Sequence, residues 1–467
     1  MSEIACAEIE DSFAALVAGA ALEISPEAEA TAAEHLTDLV GVALAAVEEP
    51  AFRALLRTYE PTHSGRNSAR VWGTQIRLPR RDAALMNAFA GHFHDFDDDE
   101  TELAMAHVTV TAATAALTTA DSVPGATGKR LLRAYIHGVE TATRLGRLIN
   151  PEHYRRGWHA SATLGVFAAA AASGHVIGVR ASEMRHALGI AASFASGLRS
   201  NFGSDAKPLQ VASAVAQGML ASELAVAGLT STPGSLLGPN GYTRLFGEQD
   251  VSVEALLNFG APFDLVGSGL TIKAFPCCTA AHTAVDALLG MTTESGVAPS
   301  QIDRVTCWVD PAVPNILTRD RPGNALEAKF SMPFCLAAAS IYGRLRLSEF
   351  KDEIVRSAAV QEMMNRIEVR TDSNLPKGPS GISVSSRVRL KLRDGSQIER
   401  FSEYVPGGPH RRLTHDQLRA KFNACVVAVL DRERVAAAFD SLLDVAEAKD
   451  CRSLLDLICQ RQTNGKS

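Results

Sequence analysis

The feature that most constrains the fold of this chain is the recurrence of small residues, above all alanine, along helical patterns up to about residue 260. Alanine is the best helix former, and small side chains let neighbouring helices approach closely. From 210 to 229, Ala214, Gly218, Ala221 and Ala225 lie close together, which is typical of a buried helix. The first part of the chain is therefore predicted to form a large helical domain.

The pattern changes near Pro262. Short β-branched runs follow at 304–309 and 366–370, and an alternating run at 387–392 leads into the dipeptide Asp394-Gly395. Asp-Gly between alternating runs predicts a hairpin. We therefore predict a mainly α fold, with a large all-helical domain (1–264), a smaller α+β lid domain (265–400) and C-terminal helices (401–467) that return to the first domain.

Length and charge narrow the class of protein. The chain has 467 residues, enough for two hydrophobic cores, and a net charge of -6 without a basic stripe. No nucleic-acid partner is expected, and an anionic substrate would need local cations. The apolar stretch 160–198 is interrupted by charged residues, which predicts no membrane span. With acids at the N-terminus and irregularly spaced cysteines, we expect a soluble, cytoplasmic protein.

The first candidate for chemistry is the acidic run from His92 to Glu100, followed by His107. Five acids occur in the six residues 95–100, and such a run is often a solvated loop. Carboxylates and imidazoles are also the ligands of divalent metals. A third interpretation is an acid–base cluster with shifted pKa values. The residues alone leave all three interpretations open.

Three further segments contain candidate residues. His159 follows Gly157 and Trp158, and a lone histidine of this kind is more often a packed core residue. Lys207 precedes a proline and is predicted on a loop before the buried helix, where the helix N-terminus favours anions. Lys273 lies in an apolar, glycine-rich segment, where a lysine either extends to solvent or meets an anion.

Together, and in this order, these segments resemble the MmgE/PrpD family, whose members include a dehydratase, a decarboxylase and an epimerase of small polycarboxylates. The resemblance covers most of the chain, from Ala90 to Phe422. It rests on these segments: 94–107, 157–159, 205–208, 273–278 with His282, 327–333 and 394–395.

The resemblance implies a helical domain capped by an α+β lid, usually as a homodimer, with a polycarboxylate bound in the interdomain cleft. It implies no metal and no organic cofactor. The residues expected at the site are Asp95, Asp99, His107, His159, Lys207, Lys273, Cys278 and His282.

The expected roles follow from the chemistry of these side chains. His107 and His159 would move protons, Lys207 and Lys273 would hold carboxylates, and Asp95 would orient a histidine. Asp99, Cys278 and His282 would join the lysines in contacting the substrate.

Three positions depart from the family pattern and bear on which reaction is catalysed. Asp99 stands where threonine is usual, Cys278 where some decarboxylases have histidine, and Phe334 where a tyrosine is expected.

The expected function is a cofactor-independent lyase that dehydrates or decarboxylates a citrate- or aconitate-like acid. The same residues would serve an epimerase of an iminodisuccinate-type dicarboxylate. A more distant alternative is an all-α, terpene-synthase-like enzyme that binds magnesium through Asp98, Asp99 and Glu102. A non-enzymatic binding protein would not need clustered histidine, lysine and aspartate.

Overall fold

A computed structural model of the chain describes residues 3–19, 22–61, 67–247 and 253–459. The helices of the first part are α1 (Glu3–Ala18), α2 (Pro26–Ala45), α3 (Pro50–Leu56), α4 (Arg80–Phe93), α5 (Thr109–Ser122), α6 (Gly128–Ile149), α7 (Glu152–Arg155), α8 (Ala160–Thr163), α9 (Gly165–Ile177), α10 (Ala181–Ala192), α11 (Ala206–Val226), α12 (Tyr242–Phe246) and α13 (Glu254–Leu257). The later helices are α14 (His282–Ser295), α15 (Ala325–Ala328), α16 (Met332–Tyr342), α17 (Asp352–Val355), α18 (Ala358–Met364), α19 (His415–Val426), α20 (Arg432–Leu443) and α21 (Arg452–Ile458). The strands are β1 (Ser68–Arg70), β2 (Arg77–Pro79), β3 (Ile302–Val309), β4 (Ile367–Thr371), β5 (Ser386–Leu392) and β6 (Gln397–Ser402).

The buried apolar side chains form two cores. The larger core is built from the helices of the first part, and Phe422, Phe439 and Leu455 of the C-terminal helices pack into it. The smaller core extends from Cys277 to Leu392. The predicted fold class, mainly α with a smaller α+β unit, is confirmed.

Helices α4, α5, α6, α9 and α11 pack against one another at the centre of the larger core. Small residues at the crossings make this packing possible. A Cβ atom at Gly218 of α11 would lie only 2.2 Å from the Val166 carbonyl oxygen, and one at Gly138 of α6 would lie 2.8 Å from the Ala168 oxygen. The alanine and glycine content therefore sets how closely these helices approach.

The smaller unit is built on a four-stranded sheet in the order β4-β3-β5-β6. Strands β3 and β4 are parallel, while β5 is antiparallel to both β3 and β6. The hairpin between β5 and β6 turns at Asp394-Gly395, where Gly395 has φ 91°. Helix α14 packs on β5 and β6. The predicted hairpin and the two predicted β-branched strands are confirmed.

Two local features differ from the prediction. Strands β1 and β2 form a small antiparallel pair inside the part that was predicted to be helical. Lys207 lies in the first turn of α11, which begins at Ala206, and not on the preceding loop. Proline at the third helical position, Pro208, loses no intrahelical bond because the first N–H groups of a helix have no partner. The helix can therefore start before it.

In the part of the chain that the structure describes, two helical segments are long and apolar enough to cross a membrane, by length and composition alone. Residues 160–177 are 89% buried in the protein, and residues 206–226 are 50% buried. Both pack against neighbouring helices of the larger core. Burial of this kind is typical of core helices, so the two segments are only weak evidence for a membrane span.

Candidate active site

A cavity of about 100 Å³ lies between the two units of the fold, which are the helical unit with the larger core and the α+β unit with the smaller core. Residues of both units contribute to its wall. We call it the inner cavity. It is lined by these residues predicted for the site: Asp95, Asp99, His107, His159, Lys207, Lys273 and Cys278. These residues are far apart in the sequence, and the fold brings them to one place.

Asp95 forms ion pairs with both lysines. Its Oδ1 accepts from the Lys207 Nζ at 2.6 Å, and its Oδ2 lies 3.3 Å from the Lys273 Nζ, which also donates to the Asp95 carbonyl oxygen at 2.9 Å. Asp95 has a left-handed backbone, with φ 52°, a strained conformation that is typical of functional sites. Burial alone would raise the pKa of Asp95, but the charges of Lys207 and Lys273 outweigh it and hold the pKa below its ordinary value. Asp95 is therefore an anion at neutral pH.

The acidic run is buried, so the interpretation as a solvated loop is wrong. Asp98 accepts a hydrogen bond from Thr109 Oγ1 at 2.5 Å and also contacts His35. Asp99 accepts from Thr279 Oγ1 at 2.6 Å. Neighbouring acids can be buried here because each carboxylate has its own partner.

The magnesium alternative required Asp98, Asp99 and Glu102 to converge on one ion. Asp98 and Asp99 instead bond to different partners, and Glu102 accepts from the backbone N–H of Ser380 at 2.9 Å. The contacts therefore give no support to a terpene-synthase-like metal site.

Asp97 lies between two imidazoles. Its Oδ2 is 2.9 Å from Nδ1 of His92 and 3.2 Å from Nδ1 of His107. The other nitrogen of His92, Nε2, accepts from the Lys207 Nζ at 2.7 Å. Burial and the charge of Lys207 lower the pKa of His92 to about 3, against the opposing effect of Asp97. His92 is therefore neutral, with its proton on Nδ1.

These three side chains, His92, Asp97 and His107, are close enough together to ligate a metal ion. The Lys207 ammonium group, 2.7 Å from His92, would repel a divalent cation at that point. Asp97 is thus the carboxylate nearest Nδ1 of both histidines, whereas Asp95, which was expected to orient a histidine, lies 3.6 Å from His107 Nε2 and pairs with the lysines.

His159 has one bonded and one unbonded ring nitrogen. Its Nδ1 lies 2.8 Å from the amide oxygen of Gln210, one turn after Lys207 on α11. An amide oxygen only accepts, so the ring proton is on Nδ1 and the Nε2 lone pair is free. In the described part of the chain, this buried Nε2 has no hydrogen-bond partner. Burial, reinforced by the charge of Lys207, lowers the pKa of His159 well below 6.5.

We expect His159 to stay neutral as the pH falls through 6.5, because its lowered pKa delays protonation to a more acidic pH. Histidine ring signals followed by NMR from pH 8 to pH 5 should show no titration of His159 in the free protein. The His159→Gln variant identifies the signal. A midpoint near 6.5 would contradict the lowered pKa.

The second lysine segment contributes Lys273 and Cys278. Burial by itself would lower the pKa of Lys273, but Asp95 and Asp99 outweigh it and raise the pKa. Burial raises the pKa of the Cys278 thiol to about 12, so the side chain is neutral and is not a thiolate nucleophile. Cys278 Sγ can thus shape the cavity without adding charge.

Two of the sequence-derived positions are not brought to the inner cavity. His282 is fully buried, and its Nε2 lies 3.1 Å from the Cys277 carbonyl oxygen. Phe334 is also fully buried and packs against Phe350 in the smaller core. A tyrosine hydroxyl at position 334 would therefore not face the cavity in this arrangement.

Sequence reasoning missed several members of the site. His92 and Asp97 lie in the acidic run that was singled out, but their pairing depends on how the chain turns at Asp95. The aromatic side chains in the cavity wall were not anticipated either. The ring centres of Phe202 and Phe330 lie 5.3 Å and 5.5 Å from the Lys207 Nζ. Gln210 could have been found, since it follows Lys207 by three residues and so lies on the same helix face.

A cavity lined by two lysines, the aspartate that pairs with both, and a histidine with a lowered pKa, His159, is typical of an enzyme active site. The chain belongs to the MmgE/PrpD family: residues 11–254 match the MmgE/PrpD N-terminal domain and residues 275–445 match the C-terminal domain. It is thus an enzyme of the MmgE/PrpD type, in the lyase class.

The relatives it resembles are described as cis-aconitate decarboxylases. The protein from Mus musculus is 26% identical over 435 residues, covering 91% of this chain and 87% of the relative. The human protein is 25% identical and covers 86% and 84%, respectively. The protein from Aspergillus terreus is 25% identical and covers 84% of each chain.

Proposed function

We propose that this protein decarboxylates cis-aconitate, or a closely similar tricarboxylate, without a metal or organic cofactor. The main support for the proposal is the lining of the inner cavity. It contains two lysines, Lys207 and Lys273, and two histidines, His107 and His159, while its cysteine, Cys278, is a neutral thiol. The relatives with this description align along at least 84% of the chain, so both halves of the site are covered.

The chemistry requires charge stabilisation and one proton. In cis-aconitate, the bond between the CH₂ carbon and its carboxylate breaks and CO₂ leaves. The electron pair forms a new double bond to the central carbon, and the old double bond shifts its pair to the far carbon, which takes a proton. The negative charge that develops lies next to the remaining carboxylates, where fixed cations stabilise it most. Lys207 and Lys273 supply those cations.

The proton has two candidate carriers, His107 and His159. Carboxylates lie beside both ring nitrogens of His107: Asp97 3.2 Å from Nδ1 and Asp95 3.6 Å from Nε2. A proton on either nitrogen therefore faces an anion. His159 is neutral in the free protein, and a bound polyanion would offset the Lys207 charge and raise the pKa of His159. Binding of the substrate would thus help His159 to become a proton donor.

The remaining roles follow from contacts. Asp97 orients His107, Gln210 orients His159, and Asp95 holds the two lysines in place. Asp99 and Cys278 line the same cavity and are proposed to contact the substrate. His282 is left out, because its ring bonds to the backbone away from the cavity.

We expect the purified protein to release CO₂ from cis-aconitate in the presence of a chelator. Incubation of ¹³C-labelled cis-aconitate with EDTA in D₂O, followed by NMR, should show a product with one carboxylate fewer and one deuterium on carbon. Citrate, 2-methylcitrate and an iminodisuccinate-type dicarboxylate are tested in parallel.

Each alternative gives a different signal in that experiment. Loss of water without release of CO₂ would indicate a dehydratase. Uptake of deuterium without loss of either water or CO₂ would indicate an epimerase. Activity that disappears with EDTA and returns with magnesium would contradict the proposed independence from metal.

We also propose that the protein forms a homodimer. Apolar side chains on and just after α11 are partly uncovered: Leu209, Val226 and Leu229 are 41%, 51% and 48% exposed. A second copy of the chain could cover them. The cytoplasmic location remains a prediction.

A further inference from the structure

A second cavity, of about 670 Å³, adjoins the inner cavity. We call it the outer cavity. The two cavities share the side chains of Tyr154, Phe202, Ile316 and Ile382 in their walls. The two cavities are therefore neighbours, separated by these four residues.

The charges of the inner cavity are already balanced. In its wall, Lys207 and Lys273 contribute two positive charges, and Asp95, whose pKa is lowered, contributes a negative charge. A second negative charge comes from Asp97, whose pKa is also lowered and which contacts His107 of the wall at 3.2 Å. Asp99, also in the wall, adds no cation. The inner cavity therefore has no surplus positive charge with which to attract a polyanion from solution.

The outer cavity does have such a surplus. Its wall contains Arg155, Arg199, Arg319 and Lys377 against one acid, Asp310. This local excess of cations stands out in a chain whose net charge is -6. Clefts lined by one sign of charge raise the local concentration of ligands of the opposite sign.

These cations are available to a ligand. Among the residues that the structure describes, no carboxylate lies within 4.0 Å of the charged atoms of Arg155, Arg199 or Lys377, whereas Arg319 has Glu327 at 4.0 Å. The Nε atoms of Arg199 and Arg319 are buried and have no hydrogen-bond partner in the described part of the chain. Buried, unpaired N–H groups of this kind favour an anionic acceptor.

Arg199 and Arg319 also join the two units at this wall. Arg199 donates from Nη1 to the Tyr154 carbonyl oxygen at 2.8 Å and from Nη2 to the Asn315 carbonyl oxygen at 2.6 Å. Arg319 donates from Nη2 to the Phe202 carbonyl oxygen at 3.1 Å. Both guanidinium groups are therefore held in position by backbone carbonyl groups, which are neutral, and only Arg319 also has a carboxylate nearby, Glu327 at 4.0 Å.

We propose that the outer cavity is an anion-binding vestibule, where Arg155, Arg199, Arg319 and Lys377 capture the polycarboxylate before it passes to the inner cavity. The proposal rests on the proposed function for the identity of the substrate. It assigns the first binding step to residues outside the inner cavity.

The test uses the variant Arg155→Gln/Lys377→Gln, because both side chains are exposed and neither bridges the two units. A matched control, Lys351→Gln/Lys449→Gln, removes two exposed charges outside both cavities. Binding of tricarballylate, a saturated tricarboxylate that cannot react in this way, is measured by calorimetry, and KM and kcat for cis-aconitate are measured at low and physiological ionic strength.

At low ionic strength we expect the vestibule variant to weaken tricarballylate binding and raise KM by about tenfold, within the range of electrostatic focusing. The loss should fall mainly on KM, and it should shrink with added salt, because salt screens exposed charges. The control should match the unmodified protein.

The outcomes separate the two proposals. Equal affinity and KM in the vestibule variant and the control would overturn the vestibule, and the proposed function would stand if cis-aconitate is still decarboxylated. Weaker binding in the vestibule variant, without turnover of cis-aconitate by any form, would support the vestibule and overturn the proposed function. No binding of tricarballylate by the unmodified protein would overturn the vestibule, and the proposed function would then stand or fall with the decarboxylation of cis-aconitate.

Discussion

Replacing Lys273 with methionine should lower the turnover of cis-aconitate by at least about a hundredfold, the scale usual for a charge-stabilising group in an enclosed site. Lys273 is fully buried, lines the inner cavity and has a raised pKa, so its charge is fixed and available when negative charge develops. Methionine is an unbranched side chain one atom shorter than lysine, so it fills most of the same space while removing the charge and its hydrogen bonds. Asp95 retains Lys207 at 2.6 Å, so we expect the fold to persist. Steady-state kinetics and thermal melting measure the two effects.

The matched control is Lys329→Met. Lys329 is also buried, and its Nζ donates to the Pro276 carbonyl oxygen at 3.0 Å, but its side chain does not line the inner cavity in the part of the chain described. Burial lowers its pKa to about 8, so it differs from Lys273 in losing its charge readily. We expect Lys329→Met to affect stability more than turnover per folded molecule. Equal loss of turnover in both variants would show that any buried lysine change disturbs the site.

Replacing His159 with glutamine should also reduce turnover by about a hundredfold or more, because an amide cannot carry the proton. The His159 Nε2 is free within the described residues, while Nδ1 bonds to Gln210. Glutamine can still bond to Gln210, so we expect a melting temperature close to that of the unmodified protein. Incorporation of deuterium into the product, followed by NMR, measures the proton step directly.

His153→Gln is the matched control for this change. His153 is fully buried, and both ring nitrogens are bonded, Nδ1 with the Phe246 carbonyl oxygen and Nε2 with Thr163 Oγ1. Its role is structural, so its variant should lose stability and keep activity per folded molecule. If His159→Gln behaves in the same way, His159 is a packing residue and His107 is the remaining proton carrier.

The features of the fold that could be predicted are those set by local patterns. Ser25 caps α2, as its position before Pro26 predicts, with its Oγ accepting from the Ala28 N–H at 3.2 Å. The Asp394-Gly395 hairpin and the buried helix α11 were predicted for the same reason. Strands β1 and β2 could not be predicted, because each has three residues and period-2 alternation needs a longer run.

In the candidate site, most of the charged residues and histidines that line the inner cavity could be singled out from the sequence, whereas their pairing could not. Lys207, Lys273 and His159 stand out in the sequence by type and neighbours. The burial of the acidic run was not predictable, since like charges repel until a partner is supplied for each. Those partners, such as Thr109 and Thr279, are distant in the sequence and carry no signal of their own.

The ion pairs of Asp95 with Lys207 and Lys273 bear on selectivity. Both ammonium groups already pair with Asp95, so an incoming carboxylate must displace Asp95 in order to bind them. Asp95 competes with the high effective concentration of a tethered group. We expect chloride, phosphate or a simple monocarboxylate to lose this competition, since each has a single anionic group. A compound with several carboxylates can bind both lysines at once, and this chelate effect lets it compete with Asp95. We therefore expect Asp95 to make the site selective for polycarboxylates over small anions.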